Sequence, residues 1–222
     1  AFLDENLTFN REHIEKICNL IIKENIKIPW SCPNGIRADK IDDNLIKLMK
    51  KAGCYRLSLG IESANETILK NIVKGESIDT IKKAISILKQ NKIISHGFFI
   101  FGLPGETKKS INETINFALT SGLDQADFMI LDMRPGTDLW YELSDQFTPI
   151  FSTKNGREPI WIPDGLTRND LVQAQSEAVK KFYFRPKIFL KMIPFIRLSQ
   201  IVFIIKWLFK RRVFSSKQYD KR

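Results

Sequence analysis

Strand-like apolar stretches alternate with amphipathic helical stretches over residues 1–145. Helical periodicity, with capping residues such as Asp42 and Thr107, fills each interval between the strand-like stretches. The second half of the fourth stretch is apolar on both faces, which is typical of a parallel strand covered by helices. The alternation predicts an α/β fold with parallel strands, either a doubly wound sheet or an incomplete barrel. The predicted strands are Ala1–Leu3, Ile28–Ser31, Tyr55–Gly60, Ile93–Phe101 and Asp127–Leu131.

Charge is distributed unevenly along the 222 residues, although the formal net charge is +10. From Lys180 to Arg222 there are 13 Lys and Arg residues and a single acid, Asp220. The preceding residues are slightly acidic overall, which argues against a basic groove for nucleic acid. We predict three regions, which are a partial barrel body over 1–145, a loop and helix over 146–186, and a basic amphipathic tail over 187–222.

The tail allows two interpretations. Apolar residues dominate positions 198–209, but the run is too short and interrupted for a membrane span, which takes about 20 apolar residues. One interpretation is a helix at a membrane interface, with Trp207 at the headgroups, and the other is a helix that closes the open side of a barrel. The first residues show no secretory signal, so we expect a cytoplasmic protein, with peripheral membrane contact through 187–212 as an alternative.

Cysteine and histidine spacing gives no metal site within the chain. Cys18, Cys32 and Cys54 form neither a disulfide framework nor a compact metal motif, so we expect separate reduced thiols. His13 lies on a predicted helix and His96 at the start of a predicted strand, and both are expected to be structural.

Each predicted strand is followed by a polar or glycine-rich loop, and ligands bind at this end of the strands in parallel βα folds. Acids and an amide follow the first strand, an Arg and an Asp the second, and an acid and a hydroxyl the third. Glycines follow the fourth and fifth. The candidate residues are Asp4, Glu5 and Asn6; Arg37 and Asp39; Glu62 and Ser63; Gly102, Leu103, Pro104, Gly105 and Glu106; and Pro135 and Gly136.

These residue types suit a nucleoside-like ligand, but each also has a simpler interpretation. Glu62 can accept two hydrogen bonds from a ribose diol, or favour the dipole of the following helix. Arg37 can hold a carboxylate, or pair with Asp39 on the surface. The loop 102–106 lets the backbone approach a flat ligand such as adenine, or forms an ordinary tight turn. The acids 4–6 can bind an ammonium or hydroxyls, or lie in a solvated loop.

The order of these loops resembles the radical S-adenosylmethionine (SAM) superfamily over about residues 1–140. The resemblance is carried by Phe2–Phe9, by Trp30 through Arg37-Ala38-Asp39, by Met49 through Glu62-Ser63, by Phe99–Thr107 and by Arg134–Thr137. The chain looks most like the cobalamin-binding branch, which includes the anaerobic magnesium-protoporphyrin monomethyl ester cyclases. The resemblance implies a partial (β/α)₆ barrel of the TIM type that lacks its first strand here.

The resemblance also implies a role for each candidate loop. Asp4-Glu5-Asn6 matches the motif that holds the methionine amino group of SAM, and Glu62-Ser63 matches the ribose and carboxylate contacts. The Gly102–Glu106 loop would line the adenine, and Pro135-Gly136 would support the last wall of the site. Arg37 is a further candidate for binding the cofactor. No catalytic residue is assigned.

The implied function is that of a radical SAM enzyme working under anaerobic conditions. A [4Fe–4S] cluster reduces SAM, and a 5′-deoxyadenosyl radical then drives methylation, cyclisation or rearrangement of a small or lipid-like substrate. An electron donor such as flavodoxin or ferredoxin would supply an electron to the cluster. Cobalamin would bind a separate upstream domain. Two alternatives stay open, which are a non-catalytic membrane-associated binding protein on a degenerate barrel and a radical SAM enzyme that modifies tRNA.

One departure from the family pattern concerns the cluster. In the family its ligands form Cys-x₃-Cys-x₂-Cys on a loop before the strand with which this chain opens, and no such spacing occurs here. We therefore expect the natural N-terminus and the cluster ligands to lie upstream, and this fragment alone to be inactive.

Overall fold

The computed structural model describes residues 1–146, 161–186 and 188, and in this part helices alternate with parallel strands. The strands are β1 (Trp30–Ile36), β2 (Cys54–Glu62), β3 (Ile94–Phe101) and β4 (Gln125–Ile130). The helices are α1 (Arg11–Lys23), α2 (Asp43–Lys51), α3 (Glu66–Asn71), α4 (Ile78–Gln90), α5 (Lys108–Thr120), α6 (Asp138–Leu143) and α7 (Arg168–Tyr183), with 3-10 turns at Ala38–Lys40 and Ser144–Gln146.

The order of the strands decides between the two predicted architectures. All described pairs are parallel, and the sheet order β1-β2-β3-β4 follows the order along the chain. A doubly wound sheet reverses its strand order at a switch point, whereas a barrel wall does not. The described strands therefore form a barrel wall, as the partial barrel prediction requires.

The two faces of the sheet differ in composition. On the face against the helices, Leu57, Leu59 and Ile61 of β2 are fully buried. Phe99 of β3 stacks on Phe128 of β4 with ring centroids 5.2 Å apart, so aromatic packing continues the apolar layer across the strands. The opposite face, here called the inner face, carries residues of the other parity, including Ser58, Gly60, His96 and Phe98.

The predicted helix starts are confirmed because they depend on local hydrogen bonds. Asp42 accepts from the backbone N–H of Leu45 at 2.8 Å and caps α2. Asn65, Ser77 and Thr107 cap α3, α4 and α5 as their side chains predict. At α7 the predicted capping box forms, since Thr167 and Asp170 exchange backbone-to-side-chain bonds of 2.9 and 3.2 Å.

Two strand predictions near the start of the chain differ from the structure. Ala1–Leu3 is not a strand, although the Phe2 N–H donates to the carbonyl of Ser31 at 2.9 Å. The predicted strand Ile28–Ser31 begins instead at Trp30 and continues to Ile36, so residues 32–36 are strand rather than loop. Pro29 has no N–H for the ladder, and register shifts in β1 accommodate the Pro-Asn-Gly sequence that suggested a turn.

Helix α7 covers the outer edge of β4. The Gln175 side chain donates to the carbonyl of Phe128 at 2.8 Å, which satisfies a backbone acceptor on that strand. Leu171 is fully buried, and its Cδ1 lies 3.2 Å from the position that a Cβ on Gly102 would occupy. Lys108 and Asp170 form an ion pair of 2.8 Å between α5 and α7. Helix α7 therefore packs against the loop that follows β3.

The chain divides into two compact units, Ala1–Phe182 and Tyr183–Arg222. None of the described helices is long and apolar enough to cross a membrane. The tail 187–212 was predicted to be an interface helix or, alternatively, a barrel cover, and apart from residue 188 it lies outside the described residues. Residues 147–160 of the predicted loop also lie outside them. The region boundaries at 145 and 186 stay predictions.

Candidate functional site

The loops at the carboxyl ends of β1, β2 and β3 are connected by hydrogen bonds. Arg37, directly after β1, donates through Nη1 to the carbonyl of Lys74 at 2.9 Å. The backbone N–H of Asp39 donates to the Glu76 carboxylate at 3.0 Å. Asn71, at the end of α3, donates to the carbonyl of Pro104 in the loop after β3 at 3.1 Å. The segment between α3 and α4 and the end of α3 thus join all three strand ends.

Glu62 ends β2 in an uncommon backbone conformation. Its φ is +65°, and the pairing register with β3 shifts between Gly60 and Glu62. A residue with a side chain in this region costs about 1–3 kcal/mol, and such residues cluster at functional sites. The carboxylate folds back over Gly60, because a Cβ on Gly60 would lie only 2.8 Å from Glu62 Oε1. Glu62 is therefore held over the inner face against its backbone preference.

Lys74 holds the Glu62 carboxylate and was missed by the sequence analysis. Its Nζ lies 3.2 Å from Glu62 Oε1 and 3.6 Å from Glu76 Oε2. The Lys74 and Glu62 side chains are only 14% and 20% exposed, and the Glu76 side chain is fully buried. The signal in the sequence was the charged Lys74-Gly75-Glu76 string between two apolar helices, with Gly75 at φ +68°.

Arg37 pairs with Asp39, as the simpler of the two sequence interpretations proposed. Arg37 Nε donates to Asp39 Oδ1 at 2.9 Å, and both side chains are about one third exposed. Burial opposes ionisation of Asp39, but the hydrogen bonds and charge of Arg37 outweigh it and lower its pKa. The hydrogen bonds that Arg37 donates to Asp39 raise the pKa of Arg37. A carboxylate ligand at Arg37 would have to share or displace this partner.

Ser63 lies behind Glu62 and is fully buried. Its Oγ lies 3.2 Å from the hydroxyl of Thr114 on α5 and accepts from the backbone N–H of Asn65 at 3.2 Å. Thr114 in turn accepts from the backbone N–H of Ala64 at 3.0 Å. In this arrangement the hydroxyl of Ser63 fixes the turn after β2 against α5.

The loop Gly102–Glu106 is closed from within by its own acid. The Glu106 Oε2 accepts from the backbone N–H groups of Gly102 at 2.5 Å and Leu103 at 3.3 Å. Gly102 and Gly105 have φ values of +89° and +76°, which glycine adopts freely. Glu106 is only 1% exposed, and its Oε1 has no hydrogen-bond partner in the described part of the chain. Burial raises the pKa of Glu106 to about 7, although the two backbone hydrogen bonds act in the other direction.

The remaining candidate loops are more exposed. Asn34 donates to the carbonyl of Leu3 at 2.9 Å, which places the acids 4–6 beside the carboxyl half of β1. Asp4 and Glu5 are exposed, and Asn6 is half-buried. After β4, Gly136 has φ +90°, and no atom lies within 4 Å of where its Cβ would be.

The cysteines do not fit an iron–sulfur cluster. Cys18, Cys32 and Cys54 are all buried, and burial raises their pKa values to about 11, 11 and 12. Thiols with such pKa values are poor thiolate ligands near neutral pH. Within the described ranges no group of three metal-ligating side chains occurs.

A parallel barrel wall with an acid held over glycine at its carboxyl edge defines a cofactor- or substrate-binding βα-barrel protein. A family model described as "Radical SAM superfamily" matches residues 2–118, more than half of the chain. The chain belongs to the radical SAM superfamily.

Individual members of the superfamily are similar in sequence to this chain. An uncharacterised methyltransferase of Pyrococcus horikoshii is 33% identical over 202 residues, which are 86% of this chain and 42% of that protein. The anaerobic magnesium-protoporphyrin IX monomethyl ester cyclase of Rubrivivax gelatinosus is 31% identical over 181 residues, which are 81% of this chain and 33% of that protein. The chain therefore spans less than half the length of these curated relatives, and the predicted likeness to the cyclase group is confirmed.

The fold has solved counterparts. The radical SAM methyltransferase TsrM from Kitasatospora setae, solved with cobalamin and a [4Fe–4S] cluster bound, matches with a TM-score of 0.57 at 15% identity. The match covers 82% of this chain and 37% of TsrM. At this identity the likeness concerns the fold, and it confirms the predicted partial barrel.

We predict that Glu106 makes folding stability depend on pH. Because its pKa is raised from 4.5 to about 7 in the folded chain, its contribution is greatest below pH 4.5 and is lost as pH rises toward 7. The difference in unfolding free energy between Glu106→Gln and wild type should therefore move in favour of the variant from pH 5 to pH 8, by up to about 3 kcal/mol. Urea unfolding across this range measures it. The exposed Glu142→Gln is the control, and a pH-independent difference for Glu106→Gln would contradict the prediction.

We also predict that Lys74→Met destabilises the fold by about 2–4 kcal/mol, because the buried Glu76 carboxylate loses its cation. Glu76→Gln should cost less, since its amide oxygen can still accept from Asp39. In the double variant Lys74→Met/Glu76→Gln most of the loss should be recovered, which a double-mutant cycle by urea unfolding detects. Lys82→Met, which removes an exposed pair with Asp79, should change stability by less than about 0.5 kcal/mol. Additive effects of the two substitutions would refute the coupling.

Proposed function

We propose that this chain is the SAM-binding body of a radical SAM enzyme. The observation that carries the proposal is Glu62, which lies at a strand end of a radical SAM barrel wall, at φ +65° and over a glycine. Strain at a strand end is maintained only when the surrounding structure supports it, and here Lys74 does so. Sheet stability needs neither the left-handed conformation nor the carboxylate over the inner face.

The residues around Glu62 fit a nucleoside. A Cβ on Gly35 would lie 3.1 Å from the backbone N of Gly60, so two glycines on neighbouring strands leave the backbone bare beneath the carboxylate. The Glu62 carboxylate would accept from the ribose diol, and the largely buried Lys74 would keep that carboxylate oriented. Ser63 would act through the turn that it fixes.

The other candidate loops complete the proposed SAM site. The acids Asp4 and Glu5 with Asn6 would receive the methionine amino group. The backbone of Gly102–Glu106 would line the adenine, and the buried Glu106 carboxyl would hold that loop in shape from behind. Pro135-Gly136 would support the last wall. Arg37 would approach the SAM carboxylate only if Asp39 gave way.

The cluster ligands are proposed to lie upstream of residue 1, because the buried thiols of this chain do not fit them. When bound, the [4Fe–4S] cluster and SAM would supply radical chemistry for the substrate. The residues of this chain bind and orient SAM at the carboxyl edge and keep the adenine loop closed.

The reaction and its partners follow from the relatives as proposals. Relatives named as a methyltransferase and as a cyclase favour methylation or ring formation on a small or lipid-like molecule, with rearrangement as a further possibility. A flavodoxin or ferredoxin would supply the electron. Cobalamin would bind an upstream domain. The protein would be cytoplasmic, and its tail 187–212 would contact a membrane surface.

The experiment that tests the proposal uses the full-length protein purified without oxygen. Iron and labile sulfide are assayed first, and 5′-deoxyadenosine formed from SAM under a strong reductant is measured next. About four irons per chain with release of the nucleoside support the proposal. A folded protein without cluster and without SAM cleavage would refute it and favour a barrel kept for binding alone.

We predict that Glu62→Gln weakens SAM binding by about tenfold to a hundredfold, because one charged acceptor for the diol becomes a neutral amide. Iron content should stay at the wild-type value, since the cluster ligands lie elsewhere. Isothermal titration with SAM measures the affinity. Glu12→Gln, at an exposed acid of α1, is the matched control and should bind SAM normally. An unchanged SAM affinity in Glu62→Gln would show that Glu62 does not contact SAM.

A further inference from the structure

A polar cluster lies on the inner face of the sheet, away from the carboxyl edge. It consists of Arg56 and Ser58 on β2, His96 on β3 and Asp127 on β4, and is called here the inner-face cluster. Arg56 Nη2 lies 2.9 Å and Ser58 Oγ 3.0 Å from His96 Nδ1. On the other side of the ring, His96 Nε2 lies 3.2 Å from Asp127 Oδ2. Four side chains from three strands thus form one connected group.

The arrangement fixes the protonation of His96. A guanidinium can only donate, so His96 Nδ1 accepts, and the ring proton lies on Nε2 and is donated to Asp127. Burial lowers the pKa of His96, and the charge of Arg56 acts in the same direction while Asp127 opposes it. The imidazole is therefore a neutral spacer, only 4% exposed, between a cation and an anion.

Arg56 has more donors than the cluster uses. Of the five N–H donors of a guanidinium, one points to His96, and Nε is buried without a hydrogen-bond partner among the residues that the structure describes. A buried donor without an acceptor is costly, by about 1–3 kcal/mol. The Nε and Nη groups of Arg present a planar fork that matches a carboxylate or a phosphate. An acceptor atom from a ligand would satisfy the buried Nε of Arg56.

The rest of the inner face between this cluster and Glu62 is largely apolar. Phe98 and Ile100 of β3 are partly exposed there, and Met129 of β4 is 40% exposed. The Glu62 carboxylate folds back over Gly60, which follows Ser58 by two residues, about 7 Å along a strand. A short and largely apolar surface therefore separates the proposed SAM site from the inner-face cluster.

We propose that the inner-face cluster binds an acid group of the substrate, a carboxylate, through the fork of Arg56. His96 and Ser58 fix the guanidinium, and Asp127 fixes His96. The substrate is then an amphipathic acid with an apolar body that lies across Phe98 and Met129 and reaches toward the carboxyl edge. The assignment of this acid to a substrate rests on the proposed function, whereas the binding of an anion at Arg56 does not.

Butyrate is the probe, with its neutral isostere butyramide as the control, both added to the full-length protein at constant ionic strength. Histidine labelled with ¹⁵N reports His96 directly, and the exposed His13 is an internal reference. Saturable changes at the His96 nitrogens with butyrate, but not with butyramide, are expected. Equal changes with both compounds, or none with butyrate, would overturn the proposal and leave a cluster that only packs the barrel.

Variants locate the site and keep the test independent of folding. Arg56→Gln should lose the butyrate response, and Arg56→Lys should retain a weaker one, because a lysine keeps the charge but not the fork. An unchanged response in Arg56→Gln would overturn the assignment to this residue. The titration needs neither SAM nor a cluster, so its failure leaves the proposed function standing. Failure of the SAM cleavage assay would instead leave an anion site without an enzyme substrate.

Discussion

The ammonium of Lys74 joins two carboxylates at the carboxyl edge of the described structure. It neutralises the fully buried Glu76 and contacts Glu62, while its own carbonyl accepts from Arg37. Without this cation two carboxylates would approach each other in a partly dry site, which is strongly unfavourable. The left-handed conformation of Glu62 and the position of the segment between α3 and α4 both depend on it.

The two faces of the sheet differ in how much their side chains contribute to folding stability. Leucine, isoleucine and stacked phenylalanine fill the face against the helices, where each side chain buries apolar surface. The inner face instead carries glycines, a strained acid and a polar cluster, which contribute little apolar burial. A βα-barrel can hold such residues because the helix-side layer supplies the stability that they do not.

The sequence predicted the features that depend on neighbours along the chain. Helix caps such as Asp42 and Thr107 and the strand at residues 93–101 follow from local hydrogen bonding and periodicity, and they are confirmed. The prediction of a loop over residues 32–36 was wrong, because pairing with β2 makes these residues a strand despite their turn-forming sequence. Lys74 and the contacts of His96 could not be predicted, since they arise only when distant segments meet. The cofactor roles of the loops came from the resemblance alone.

The packing of α7 on the loop after β3 determines where a stable fragment of this chain can end. Leu171 packs against Gly102, and Lys108 forms an ion pair with Asp170, so the loop Gly102–Glu106 is supported from outside by residues beyond the barrel wall. A fragment that stops at the end of β4 would expose this apolar contact and leave the loop unsupported. The functional unit of the wall therefore extends to Phe182, where the first compact unit ends.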